Sequence, residues 1–257
     1  MTSPLSNDRL VSHDRLAGKV AIVTGGGTGI GRATAQALAA EGAMVVVVGR
    51  RQAPLRDLAE QSNGRIKYLA ADVTKPGAAK AIVDHAIAEF SRLDILVNNA
   101  GVAEIKPLSE FTDDEIDTLL TTNVRALLAM SREAIPALEL SHGSIVNISS
   151  VAAQTALPGM SAYAASKSGV DRLSKILAAE LGPNGIRVNA VAPGLTQTDM
   201  LSAMPGEAVD QLVNEATALR RLGEPEDIAR SIAWLASDSA GWVTGQVIQA
   251  SGGLMLN

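Results

Sequence analysis

Along this chain, short β-branched runs alternate with longer stretches in which apolar positions recur every three to four residues. The runs at 20–23, 44–48, 66–70, 95–97, 145–148, 186–191 and 247–248 read as strands. Helical patterns follow most of them: 32–41, a helix through 55–58, then 78–90, 113–138, 162–181 and 228–237. Pro136 is expected to bend or end the long helix over 113–138. Pro225, with Glu226 and Asp227 behind it, opens the last helix, where carboxylates favour the positive helix end. Strand and helix alternate from the first element, and right-handed crossovers then predict an α/β fold: a doubly wound parallel sheet with helices on both faces. The alternation breaks only over 194–222, which contains Pro205, Met200 and Met204 and an amphipathic stretch around Val209–Val213. This segment is expected to be a lid over a substrate.

Composition narrows the picture. A chain of 257 residues fits one large α/β domain, here 16–257, and aromatic residues make up only 2%. The core is therefore built from Ala, Val, Ile and Leu, as buried parallel sheets are. Residues 1–15 are polar and lack the apolar run of a signal peptide, so they read as a flexible N-terminal extension of a cytoplasmic protein. No apolar stretch is long enough to span a bilayer. The net charge of −5 and the absence of long Lys/Arg runs argue against a nucleic-acid partner. There is no cysteine, and His13, His85 and His142 lack ligand spacing, so neither a disulfide nor a metal site is expected.

Two clusters carry chemistry. Gly25, Gly29 and Gly31, with Thr28 and Ile30 between them, form a Gly-x-x-x-Gly-x-Gly turn between the first strand and the first helix. Such a turn lets backbone approach a pyrophosphate while helix N–H groups face it. Tyr163 and Lys167 stand four apart in Tyr-Ala-Ala-Ser-Lys, which puts both on one helix face about one turn apart. A neighbouring ammonium lowers a phenol's pKa from about 10 by favouring the phenolate. Ser150, thirteen residues before Tyr163 at the end of the fifth strand, can hydrogen-bond a carbonyl oxygen. Ser149 competes for that role.

In order and distance, the glycine turn, Asn98-Asn99-Ala100-Gly101, Ser150 and the Tyr163/Lys167 pair resemble the short-chain dehydrogenase/reductase family in its shorter-subunit branch. The resemblance runs from about Leu16 to Gly253. It implies a Rossmann-type fold and hydride transfer between a nicotinamide cofactor and a carbonyl or secondary alcohol. Tyr163 would be general acid/base, Lys167 would lower its pKa and hold the nicotinamide ribose, Ser150 would hold the carbonyl oxygen, and Asn123 a water linking Lys167 to solvent. NAD-binding relatives carry an acid after the second strand, whereas this chain has Arg50-Arg51. NADP(H) is therefore expected, with NAD(H) as an alternative; the same arginines could instead be a solvated pair opening a helix. Asp72 and Val73 resemble the adenine contact, although Asp72 could equally cap the next helix. Asn98 is expected as the likelier ribose contact of its segment, with Ala100 and Gly101 beside it. Pro193, Gly194, Thr196 and Thr198 resemble the segment that meets the nicotinamide carboxamide.

Ala152, Ala153, Gln154, Leu157, Met160, Leu195, Leu201 and Met204 are expected to form a moderately apolar substrate pocket. Ser251 departs from the family's usual Asp before the paired glycines, a change expected to bear on packing or subunit contacts. Surplus apolar residues on the two long helices, Leu119, Leu120, Leu127, Leu128 and Met130, then Val170, Leu173, Ile176 and Leu177, predict a second buried face, unless they merely cover the sheet. In the resembling family these helices pack on two-fold mates and the last helix and strand, here with Trp234, Leu235 and Trp242, form another interface, which implies a homotetramer. A redox-silent nucleotide-binding protein and a non-redox enzyme on the same fold are the rival readings. An intact glycine turn and Lys167 argue against both.

Overall fold

The structure is a computed structural model and describes residues 14–201 and 206–254, leaving residues 1–13 of the expected extension and Met204 outside it. Seven strands form one parallel sheet in the order β3-β2-β1-β4-β5-β6-β7. They are β1 (Val20–Thr24), β2 (Met44–Gly49), β3 (Ile66–Ala70), β4 (Ile95–Asn98), β5 (Ser144–Ile148), β6 (Arg187–Pro193) and β7 (Val247–Ala250). The order reverses between β1 and β4, and it is outside the carboxyl ends of strands at such a switch point that open α/β sheets bind ligands.

The helices divide between the two faces because alternate strand residues point to opposite sides. Ala21, Val23, Val45 and Val47 pack with residues of α1 (Gly29–Ala40), α2 (Gln52–Glu60) and α8 (Pro225–Ala236). Ile22, Val46, Leu96 and Ile145 pack with α3 (Ala78–Phe90), α5 (Ala126–Ser141) and α6 (Ser161–Leu181). The doubly wound α/β sheet with helices on both faces is therefore as expected. A third, smaller cluster of Leu119, Ala152 and Tyr163 lies beside the carboxyl edge, supported by Val102, Phe111 and Met160.

Two expectations need correcting. Pro136 does not end its helix, since α5 continues to Ser141. Both Pro136 and Arg132, whose carbonyl loses a donor, are exposed, so water can take the place of the lost donor. The long helix is also not continuous: α4 (Asp113–Leu120) is separated from α5 by a π turn over Thr121–Arg125. In 206–222, α7 (Gly206–Gln211) and a second π turn at Leu212–Ala216 precede an isolated antiparallel bridge between Thr217 and Leu254.

Candidate active site

A cleft of about 800 Å³ runs along the carboxyl edge of the sheet. At its centre the β1–α1 turn is shaped by glycines. Gly25 and Gly29 take left-handed φ angles of 66° and 52°, which favour glycine. A Cβ on Gly31 would fall inside contact distance of the Gly25 carbonyl oxygen and 2.5 Å from Asn99 Nδ2. Thr28 is the N-cap of α1 but makes no side-chain cap bond, and the first turn carries no acid. The positive helix end thus opens on the cleft with Gly25, Thr28, Gly29, Ile30 and Gly31 along its wall.

At one end of the cleft stand Arg50, Arg51, Asp72 and Val73. The Arg51 guanidinium donates to Thr28 Oγ1 at 3.3 Å and lies 3.9 Å from Asp199 Oδ2. Asp72 accepts from Thr74 N at 3.0 Å and Thr74 Oγ1 at 2.7 Å, and these bonds hold its carboxyl below the ordinary carboxylate range. It closes a turn; α3 begins later, with Gly77 as its N-cap.

The Asn98 expectation is overturned. Its side chain is buried away from the cleft, its Nδ2 donating to Asn147 Oδ1 at 2.9 Å and Ser131 Oγ at 3.2 Å. Neighbouring strand residues face opposite ways, so Asn99 is the one that reaches the turn. Asn99 Nδ2 donates to the carbonyls of Thr24 (2.9 Å) and Gly25 (3.1 Å). Ala100 and Gly101 line the cleft.

At the other end, β5 delivers Ser150 and α6 delivers Tyr163 and Lys167, both on the buried face of that helix. Ser150 and Tyr163 line the cleft together, close enough for the serine to favour the phenolate. Ser149 is tied up elsewhere, donating to the Lys167 carbonyl at 3.3 Å. Lys167 Nζ donates to the Ile148 carbonyl at 2.8 Å and lies 5.9 Å from the centre of the Tyr163 ring. Burial pushes the Tyr163 phenol up, opposed by Ser150, and pushes Lys167 down to about 8, opposed by Asp171. The expected lowering of Tyr163 by Lys167 is therefore absent from the protein alone: burial outweighs the other influences on the phenol. Asn123 sits buried in the π turn, with Nδ2 donating to the Val102 carbonyl at 2.9 Å and Ser166 Oγ at 3.0 Å, and Oδ1 accepting from Val102 N at 2.9 Å. A Cβ on Gly101 would lie 3.2 Å from Asn123 Oδ1 and 3.4 Å from Lys167 Nζ, so all three converge.

A family model described as Enoyl-(Acyl carrier protein) reductase matches residues 25–255. Curated relatives match across nearly their whole length. An uncharacterized oxidoreductase of Methylorubrum extorquens is 39% identical over 93% of this chain and 99% of its own. The 3-oxoacyl-[acyl-carrier-protein] reductases FabG of Thermotoga maritima and Escherichia coli are 37% and 36% identical, over 94% and 93% of this chain and 100% and 98% of theirs. The chain belongs to the short-chain dehydrogenase/reductase family.

The segment after β6 forms part of the cleft wall. Pro193, Gly194, Thr196 and Thr198 line it, with Thr196 Oγ1 donating to the Gly194 carbonyl at 3.0 Å. Of the expected substrate pocket, Ala152, Leu157, Met160, Leu195 and Leu201 face the cleft. Ala153 and Gln154 do not; Gln154 Nε2 instead donates to Asp171 Oδ2 at 3.2 Å. Sequence reasoning missed Val102, Ile105, Asp114, Asp117, Asp199 and Leu254 as lining residues. Leu254 enters because it bridges Thr217. Ser251 packs directly on Gly194, where a Cβ would approach within 2.8 Å of the serine Cα. Among the described residues no group of His, Asp and Glu is placed to hold a metal ion, and no helix is long and apolar enough to cross a membrane.

Proposed function

We propose that this protein reduces a ketone to a secondary alcohol, and reverses the reaction, with NADP(H) as the preferred cofactor. The observation that carries the reading is the meeting of Ser150, Tyr163 and buried Lys167 in one cleft with the glycine turn. The glycine turn fits a dinucleotide, because Gly25 and Gly31 let it pack tightly on Asn99 while the uncapped N-terminus of α1 opens on the cleft. Gly25, Thr28, Gly29, Ile30 and Gly31 would take the pyrophosphate, Arg50 and Arg51 the 2′-phosphate, and Asp72 and Val73 the adenine. Ala100, Gly101, Tyr163 and Lys167 would hold the nicotinamide ribose, and Pro193, Gly194, Thr196 and Thr198 the carboxamide. The bound cofactor supplies the hydride.

Ser150 donates to the substrate carbonyl oxygen and aligns it. Tyr163 gives its phenolic proton to that oxygen as the carbon accepts the hydride, so the C=O π pair becomes the new O–H bond. Burial keeps the phenol protonated, the form that reduction requires. Lys167 would hold the ribose, and Asn123 keeps a lone pair on Oδ1 for a water that returns the proton from solvent. Residues 194–222 act as the substrate lid. Apart from Lys167, the cations lining the cleft are Arg50 and Arg51 at the far end, so an uncharged carbonyl flanked by apolar groups suits the substrate end. The enzyme is cytoplasmic and a homotetramer.

The test is a panel of ketones, 3-oxoacyl thioesters and 2-enoyl thioesters with NADPH and NADH. Tyr163→Phe is expected to lower kcat by about 10²–10⁴ on a ketone substrate while cofactor still binds. Arg50→Asp is expected to weaken NADPH roughly tenfold or more. Retention of most of kcat in Tyr163→Phe, or reduction confined to the enoyl double bond, overturns the catalytic reading. Equal wild-type affinities overturn the cofactor preference.

A further inference from the structure

Arg51 does not simply face solvent at the end of β2. Its Nη2 donates to Thr28 Oγ1 at 3.3 Å and lies 3.9 Å from Asp199 Oδ2, so it spans from the β1–α1 turn to the segment after β6. All three residues line the same cleft. Resting on the NADP(H) reading above, we infer that Asp199 is a specificity-determining residue: its carboxylate shares the Arg51 guanidinium with the cofactor's 2′-phosphate and so restrains the preference for the phosphorylated cofactor.

Both partners are largely exposed, with side chains at 68% and 81%, so the ion pair is weak and exchangeable. A phosphate monoester carries between one and two negative charges near neutrality and can engage a guanidinium in bidentate fashion, so it displaces a single carboxylate. The displaced carboxylate cannot travel far. A Cβ placed on Gly29 would stand 3.1 Å from the Thr198 methyl, so the residue before Asp199 rests on the glycine turn. Thr198 Oγ1 also donates to the Thr196 carbonyl at 3.3 Å, and Thr196 is bridged to Gly223. Asp199 therefore keeps a negative charge at the rim of the site while the 2′-phosphate is bound. Like charges a few ångströms apart at an exposed site oppose each other by an amount equivalent to about three- to tenfold in affinity. A cofactor without the 2′-phosphate meets no such opposition there.

Calorimetric titration of NADPH, NADH, adenosine 2′,5′-bisphosphate and AMP into wild type, D199N, R51M and the double variant tests this. D199N is expected to tighten NADPH and adenosine 2′,5′-bisphosphate by about three- to tenfold and to leave NADH and AMP within about twofold. In the R51M background the same change is expected to have a clearly smaller effect. Equal tightening of all four ligands assigns the carboxylate to the dinucleotide at large and overturns the inference, as does no change in any. A wild type that prefers NADPH, with an unresponsive D199N, sinks this inference alone. If wild type binds both cofactors equally the NADP(H) reading falls, and the inference then stands only if D199N creates the preference.

Discussion

Gly31→Ala is the sharpest test of how the glycine turn is built. The added methyl would fall well inside contact distance of the Gly25 carbonyl oxygen and 2.5 Å from Asn99 Nδ2. Neither can yield cheaply: the first is backbone, and the second donates to the Thr24 and Gly25 carbonyls. Forcing a methylene into such a site costs about 1–3 kcal/mol, and each amide bond lost about 0.5–1.5 kcal/mol. Together, with both bonds lost, these give roughly 2–6 kcal/mol, or a fall in melting temperature of about 4–24 °C for a chain of this size. Gly27→Ala is the internal control, because a Cβ there meets only Leu55 and Pro54 carbons at 3.5 Å and its φ is not left-handed. That variant is expected within about 1 kcal/mol of wild type, on the stabilising side if anything. Thermal unfolding of both, at one protein concentration, decides it. Gly31→Ala melting within 2 °C of wild type, or no lower than Gly27→Ala, would refute the close-approach argument.

Lys167 makes a pH prediction. Burial lowers its pKa from 10.5 to about 8, so between those values the unfolded chain binds a proton that the folded chain does not, and stability rises with pH through the window. Below about pH 8 the whole penalty, about 3 kcal/mol, is present; Lys167→Met is expected to gain most over wild type at pH 7 and to lose that gain toward pH 10.5, and parallel urea-melt curves across the range would contradict this. Light scattering behind a sizing column is expected to give a tetramer mass. Leu120, Leu128 and Ile176 stay about 40% exposed on their helices and Trp242 is fully exposed; a monomer at micromolar concentration would refute association.

The sheet and both helical layers were legible because each strand is a short β-branched run and each helix a periodic one. Tyr163, Lys167 and Ser150 were legible because helix spacing fixes a face and a strand end fixes an exit. What was not legible depends on which way a side chain turns where regular structure stops. Asn98 and Asn99 are chemically identical neighbours, and only the pleat at the end of β4 decides that Asn99 reaches the turn. The surplus leucines split similarly: Leu119, Leu127, Met130 and Val170 are in the core, while Leu120, Leu128 and Ile176 are not. Gly26 went unread as well, although a Cβ there would meet Val47 at 2.8 Å, because its constraint comes from the neighbouring strand. The opposing shifts of Tyr163 and Lys167 depend on burial depth, which spacing does not report.

The π turn shows why one residue of the site could be found in the sequence while its means of support could not. Thr121–Arg125 contains neither Gly nor Pro, so nothing in its pattern interrupts a helix. Widening the turn relaxes the regular i→i+4 ladder at this point, a cost that needs repayment from outside the helix. Asn123 provides it by clamping Val102 through both N–H and C=O, a two-point bond that imitates a strand partner. Its remaining amide hydrogen goes to Ser166, one residue before Lys167, and Ser166 in turn donates to the Tyr163 carbonyl at 2.7 Å. The π turn, the end of the β4 segment and the Tyr163/Lys167 turn of α6 are thereby held as one unit, with Gly101 close to both Asn123 and Lys167. An asparagine is suited to this place because aspartate would lack the donors and leucine the polar atoms, either leaving Val102 groups unpaired beside the reacting end of the cleft.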